Sequence, residues 1–125
     1  MILDTNAISA LFDGDERLSN ALEGSGTIHL PIIVVGEYRY GLQRSRHREE
    51  LERLLDLLIQ ESIVLATDLA TAFVYAEVRE QQRRLGRPLP ENDLWIAALA
   101  RQHELPIVSR DTHFDLVPRV KRIGW

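Results

Sequence analysis

The chain has 125 residues, 45% of them hydrophobic and 27% charged, with a formal net charge of −4 and no cysteine. These values describe a single ordinary globular domain, residues 1–125, large enough to bury a core without staples. They exclude a disulfide scaffold and a thiolate metal site, and no apolar run approaches the ~18 residues of a membrane span. The chain shows no secretory apolar region, since Met1-Ile2-Leu3 runs straight into Asp4. The absence of cysteine fits a reducing compartment, so a cytoplasmic location is expected. A net negative charge argues mildly against a nucleic-acid binder. Against that, Lys121 is the only lysine, and arginine's planar fork suits phosphate. Part of the acidic excess can also gather where a divalent cation would neutralise it.

Met1 to Asp4 reads as a short buried strand, and Asn6 to Phe12 as a helix with Thr5 or Asn6 near its cap. Asp13-Gly14-Asp15 breaks that helix, and Glu16 to Glu23 makes a second one that ends at Gly24-Ser25-Gly26. Thr27 to Leu30 is a strand, after which Pro31 can open a helix running to about Gln43, because proline is tolerated in a first turn. Arg46 to Leu58 is helical: Leu51, Leu54, Leu55 and Leu58 recur at three- and four-residue spacing between charges. Ser62 to Ala66 is a β-branched, apolar strand. Asp68 caps a long helix from about Leu69 to Leu85, closed by Gly86, and Asn92 or Asp93 starts another through Trp95 to His103. Leu105 to Ser109 is a strand, and Arg122 to Trp125 a short last one. Strands that alternate with helices imply a parallel sheet covered on both faces.

Four carboxylates stand out by position. Asp4 ends the first strand, and Asp111 lies just past the strand that holds Ile107 and Val108. Ligands of open parallel sheets bind beyond the carboxyl ends of strands, where the strand order reverses, so both can reach one crevice. Asp93 sits at a helix start after Pro90-Glu91-Asn92, and Glu37 interrupts the apolar run Pro31-Ile32-Ile33-Val34-Val35-Gly36. Each also has a plain structural role open to it: Asp4 and Asp93 as helix caps, Asp111 as a turn residue before His113. Glu37 is harder to explain that way, since a carboxylate on a packed helix needs a partner. Four carboxylates brought together would repel one another unless a cation sat among them. An all-oxygen donor set favours Mg²⁺ or Mn²⁺, which can activate water and neutralise a phosphodiester.

Asp4-Thr5-Asn6, Val35-Gly36-Glu37-Tyr38 with Gly41, Asn92-Asp93-Leu94-Trp95-Ile96-Ala97-Ala98, and Ser109-Arg110-Asp111 with His113-Phe114-Asp115 resemble, in order, the four acidic motifs of PIN-domain ribonucleases of the VapC toxin type. The third is the most specific, and together the motifs span nearly the whole chain. The resemblance implies an α/β fold, a three-layer α/β/α sandwich around a central parallel sheet. It implies that Asp4, Glu37, Asp93 and Asp111 surround Mg²⁺ or Mn²⁺, with Asn6 and Ser109 supporting the acids and Asp115 in a supporting or structural place. The implied reaction is endonucleolytic hydrolysis of RNA, of the transfer or ribosomal class, leaving a 5′-phosphate and a 3′-hydroxyl and arresting translation. The implied partners are a VapB-type antitoxin and a second copy of the chain. Only three residues precede Asp4, fewer than family members often have.

Two other function classes compete. A phospho-receiver signalling domain shares the size and layout, but it wants adjacent acids after the first strand and a lysine late in the sheet. Here Thr5-Asn6 follow Asp4 and Lys121 stands near the end. A catalytically silent PIN module would bind RNA or a partner without cutting. Arg39, Arg44, Arg46 and Arg48 form one basic cluster and Arg79, Arg83, Arg84 and Arg87 another. Both read first as solvated helix faces with acidic partners. Trp95 and Tyr38 read as packing residues, and the four histidines show no metal-ligand spacing.

Overall fold

A computed structural model describes residues 1–125. Five short strands, β1 (Ile2–Leu3), β2 (His29–Pro31), β3 (Ile63–Leu65), β4 (Ile107–Val108) and β5 (Arg122–Ile123), form one sheet in the order β3-β2-β1-β4-β5. Every neighbouring pair is parallel. The helices α1 (Thr5–Phe12), α2 (Glu16–Leu22), α3 (Ile32–Leu42), α4 (Arg48–Gln60), α5 (Leu69–Arg84) and α6 (Glu91–His103) complete an α/β/α sandwich. All five expected strands and all six expected helices are present. One element was not expected: a 3-10 helix over Thr112–Leu116, capped by Asp111.

The order of the strands decides where a site can lie. β2 flanks the central β1 on one side and β4 flanks it on the other, so the chain's connections diverge between β1 and β4, and a crevice opens at their carboxyl ends. The ladder continues one residue past each strand: Asp4 N–H donates to the Val108 carbonyl at 3.1 Å, and Ser109 N–H to the Ile123 carbonyl at 3.0 Å. Asp4 and Ser109 therefore come side by side at that crevice.

Burial follows the apolar pattern. Ile2, Leu3, Leu30, Ile107 and Val108 are fully enclosed in a core of 26 residues, as expected where helices cover a parallel sheet. In α4 the leucine stripe turns inward, with Leu55 and Leu58 buried. In α3, Val34, Val35, Tyr38 and Leu42 form the inner face, and Tyr38 meets Phe12 edge-on at 5.7 Å between centroids. Coverage fails at the β3 edge, where Ile63 and Val64 stay largely exposed, because β3 has a neighbour on one side only.

Helix starts depart from the sequence reading in two places, at α3 and α6. Of the caps open to α1, Asp4 rather than Thr5 or Asn6 takes the place, with its side chain accepting from Thr5 N–H. Pro31 ends β2 and α3 begins at Ile32. α6 starts at Glu91 after Pro90, so neither Asn92 nor Asp93 is its cap, and Asp93 is left free in the first turn. α5 is capped as expected: Asp68 and Thr71 satisfy one another's backbone amides in a capping box. No helix is long and apolar enough to cross a membrane.

Candidate active site

Asp4 is 5% exposed and its carboxylate is held on both oxygens. Oδ1 accepts from Thr5 N–H at 2.8 Å; Oδ2 accepts from the Ser109 hydroxyl at 2.7 Å and from Asn6 Nδ2 at 3.1 Å. The Ser109 oxygen in turn accepts from Asn6 Nδ2 at 3.0 Å and from Asp111 N–H at 2.9 Å. Asn6 Oδ1 accepts from Arg110 N–H at 3.1 Å, which fixes the amide so that its nitrogen faces Asp4. Asn6 and Ser109 thus both donate to the Asp4 carboxylate. Burial pushes the Asp4 carboxyl above its usual range, the hydrogen bonds from Ser109 and Thr5 pull it back, and the charges of Glu37 and Asp111 add to the rise.

Glu37 reaches the same crevice from α3. Thr5 Oγ1 donates to its Oε2 at 2.9 Å and Asn92 Nδ2 to its Oε1 at 2.7 Å. These are the partners that a carboxylate on an apolar helix requires. Asp111 accepts from His113 N–H at 2.9 Å, and the His113 ring nitrogen Nδ1 lies 3.0 Å from the same oxygen. Asp93, half-buried on α6, receives no side-chain or backbone hydrogen bond. Its carboxyl is pushed up to about 6, first by burial and then by the charges of Asp4, Asp111 and Glu37, with His113 acting the other way. Burial comes first in that rise, and the charges add to it because Asp4, Glu37 and Asp111 lie near enough to repel Asp93.

Ligand atoms of Asp93, Asp111 and His113 all lie within 4.8 Å of one another, close enough to share one ion. His113 is the residue that sequence reasoning missed. It lies just two positions from Asp111, and only the 3-10 turn folds its ring back onto that carboxylate. Asp115 stands outside the crevice. It forms a two-pronged pair with Arg122 at 2.9 and 2.8 Å, and Arg122 Nη1 donates to the Ser109 carbonyl at 3.0 Å. Asp115 therefore acts through Arg122 on the backbone that carries Ser109, a structural place.

The PIN domain family model matches residues 1–120. The chain belongs to the PIN-domain family. It is 26% identical to Ribonuclease VapC2 of Rickettsia felis, with 99% of this chain and 96% of that protein covered. It is 30% identical to Toxin FitB of Neisseria gonorrhoeae, with coverage of 90% and 88%. Among solved structures it resembles VapBC2 of Rickettsia felis bound to a promoter DNA fragment, at a TM-score of 0.89 and 26% identity, covering 99% of this chain and 97% of that one. FitAcB from Neisseria gonorrhoeae matches at a TM-score of 0.80 and 28% identity, with coverage of 98% and 95%. PIN membership removes the phospho-receiver reading.

Two of the four arginines in the first basic cluster and three of the four in the second are paired on the surface. Arg39 meets Asp56 and Arg48 meets Glu52; Arg79 meets Glu91, and Arg83 and Arg84 share Glu80. Trp95 is half-buried and lies flat against Tyr75, with centroids 3.9 Å apart.

Proposed function

We propose that residues 1–125 act as one PIN domain, a divalent-metal-dependent endoribonuclease of the VapC toxin class, whose activity a VapB-type antitoxin restrains. The observation that carries this reading is the gathering of Asp4, Glu37, Asp93 and Asp111 at the reversal of strand order, with Asp93 raised to about 6 first by burial and then by the charges of the other three. The donor chemistry fits a cation. Asp93 has no hydrogen-bond donor to compensate its charge, its oxygens face those of Asp111 within 4.8 Å, and oxygen-rich sets suit Mg²⁺ or Mn²⁺. Asp4, Glu37, Asp93 and Asp111 would hold the ion, with the His113 nitrogen beside them. When bound, such an ion would supply positive charge against the phosphodiester and lower the pKa of water, so that hydroxide is available as the nucleophile.

The chain's own groups do the rest. Asn6 and Ser109 hold Asp4 in a single orientation, Thr5 and Asn92 hold Glu37, and the Ser109 hydroxyl ties the β1 and β4 ends together. Such preorganisation matters because ligand carboxylates that need not reorganise give the tightest and most specific ion binding. The substrate class is RNA of the transfer or ribosomal kind, the location is the cytoplasm, and the working form is a homodimer.

Cleavage of total cellular RNA by the purified chain, with Mn²⁺, with Mg²⁺ and with EDTA, tests the reading beside Asp93→Ala. Discrete fragments that require metal and vanish in the variant support it, and sequencing their ends names the substrate. Folded, antitoxin-free protein that binds RNA but cuts none under any condition would move the chain to the silent binding class.

A further inference from the structure

A cavity of about 500 Å³ lies on the far side of the first turn of α6 from the carboxylates. Its apolar wall is Ala76, Pro88, Leu89 and Leu94, drawn from α5, the following loop and α6. Gln82, 1% exposed, lines it as well. The Gln82 amide nitrogen donates to the Arg87 carbonyl at 3.0 Å, which leaves Oε1 as a buried acceptor with no donor. A buried acceptor without a partner is costly, and the cost is recovered when a ligand brings an N–H.

The rim carries two arginines, two glutamates and an aromatic ring. Arg79 and Arg83 border the opening, with side chains 60% and 71% exposed, and Arg84 follows as the last residue of α5. Their partners are exposed glutamates, Glu80 and Glu91, and surface pairs of this kind exchange readily for phosphate. Tyr75 stands at the cavity edge, backed on one face by Trp95 and hydrogen-bonded to Glu91 and Arg79. Glu91, Asn92 and Asp93 are consecutive: Glu91 borders the cavity, Asn92 donates to Glu37 and Asp93 joins the acids. The cavity and the carboxylates therefore sit on two sides of one helical turn, whose full width is about 10–12 Å. A short single strand can engage both.

Resting on the nuclease reading above, we propose that this cavity is a nucleobase subsite for the RNA substrate. A base splayed from the strand enters between Leu89, Leu94 and the Tyr75–Trp95 pair, an amino or imino N–H of its edge meets Gln82 Oε1, and Arg79 and Arg83 take the flanking phosphates. Single-stranded RNA is read in this way, by unstacked bases on aromatic and apolar walls with hydrogen bonds to their edges. The lone acceptor favours bases that present an N–H donor at the reading edge over acidic side chains, which have none, and the Tyr75–Trp95 pair suits a flat ring. Gln82 is buried, so reaching the oxygen requires the cavity lining to open.

Two measurements test the subsite. In the first, a random-sequence RNA pool is cut by the wild-type protein and by Gln82→Met, which keeps length and volume but removes the acceptor; Arg79→Gln serves as a second variant should Gln82→Met fold poorly. The expected result is a base preference at one position near the cut, with kcat/KM for the favoured base falling about tenfold in Gln82→Met, toward that of the others. An unchanged preference in both folded variants overturns the proposal. In the second, the metal-free protein in EDTA is titrated with the four 5′-nucleoside monophosphates and with inorganic phosphate, following the Trp95 indole and Gln82 amide signals by NMR. Shifts that depend on the base support the subsite. No response to any nucleotide, or the same response to phosphate alone, overturns it and returns the cavity to a protein partner. Base-dependent shifts from a protein that cuts no RNA would keep the subsite and sink the nuclease reading; cleavage without base-dependent shifts would do the reverse.

Discussion

Asp4 and Asp93 carry the same charge into the same crevice, yet their surroundings are opposite. Asp4 is nearly enclosed and receives hydrogen bonds from Thr5, Asn6 and Ser109. Asp93 is half-buried and receives none. Burial raises both carboxyls, but only for Asp4 do hydrogen bonds counter it. The contrast separates two tasks. One carboxylate is clamped at a strand end as the fixed reference of the site. The other, on a helix turn, is left with uncompensated charge, which a cation would satisfy.

The largest effect that would break this comparison lies in cleavage itself. Asp93→Ala and Asp4→Asn should each abolish metal-dependent cleavage, a loss of more than about a hundredfold. Asp4→Asn should keep its fold with a modestly lower melting temperature in EDTA, because the loss of one repelling charge is outweighed by an amide nitrogen set where Thr5, Asn6 and Ser109 donate. Full nuclease activity in either purified variant would remove that acid from the site.

Next in size is the clamp. Ser109→Ala strips a fully buried hydroxyl from Asp4, Asn6 and Asp111 at once. Chemical denaturation should show a stability loss of about 1–3 kcal/mol, and calorimetry a Mn²⁺ affinity weaker by about 10- to 100-fold. The same affinity as wild type would mean that Asp4 needs no clamp.

A smaller effect sharpens the Asp93 half. Its carboxyl is raised from 3.8 to about 6 in the folded chain. The folded state therefore binds the proton more tightly than the unfolded one, and this contribution to stability is complete below pH 4 and lost as pH rises through 6. In EDTA, melting temperature should carry a falling component across that window, absent in Asp93→Asn. Saturating Mn²⁺ should reverse it in the wild type, since an ion favours the charged form. A flat profile for wild type in EDTA would show that Asp93 is not under the repulsion described. The smallest effect belongs to Asp115→Asn, which disturbs only the Arg122 contact with the Ser109 backbone and should lower cleavage less than Ser109→Ala does.

The sequence by itself determined the alternation of five strands and six helices, since periodicity of apolar residues and the Gly and Pro breaks are local signals. It also marked Asp4, Glu37, Asp93 and Asp111, because acids that interrupt apolar runs or end strands are conspicuous in one dimension. Tertiary structure alone decided how those acids differ. The parallel register that sets Asp4 beside Ser109, 105 positions apart, the turn that folds His113 onto Asp111, and the Asn92 amide on Glu37 are long-range or conformational facts. So is the cavity under Gln82, where an oxygen lacks a donor only because α5, its loop and α6 close around it. Hydrogen-bond satisfaction depends on every neighbour in space, and that is why spacing along the chain could name the four acids but not their division of labour.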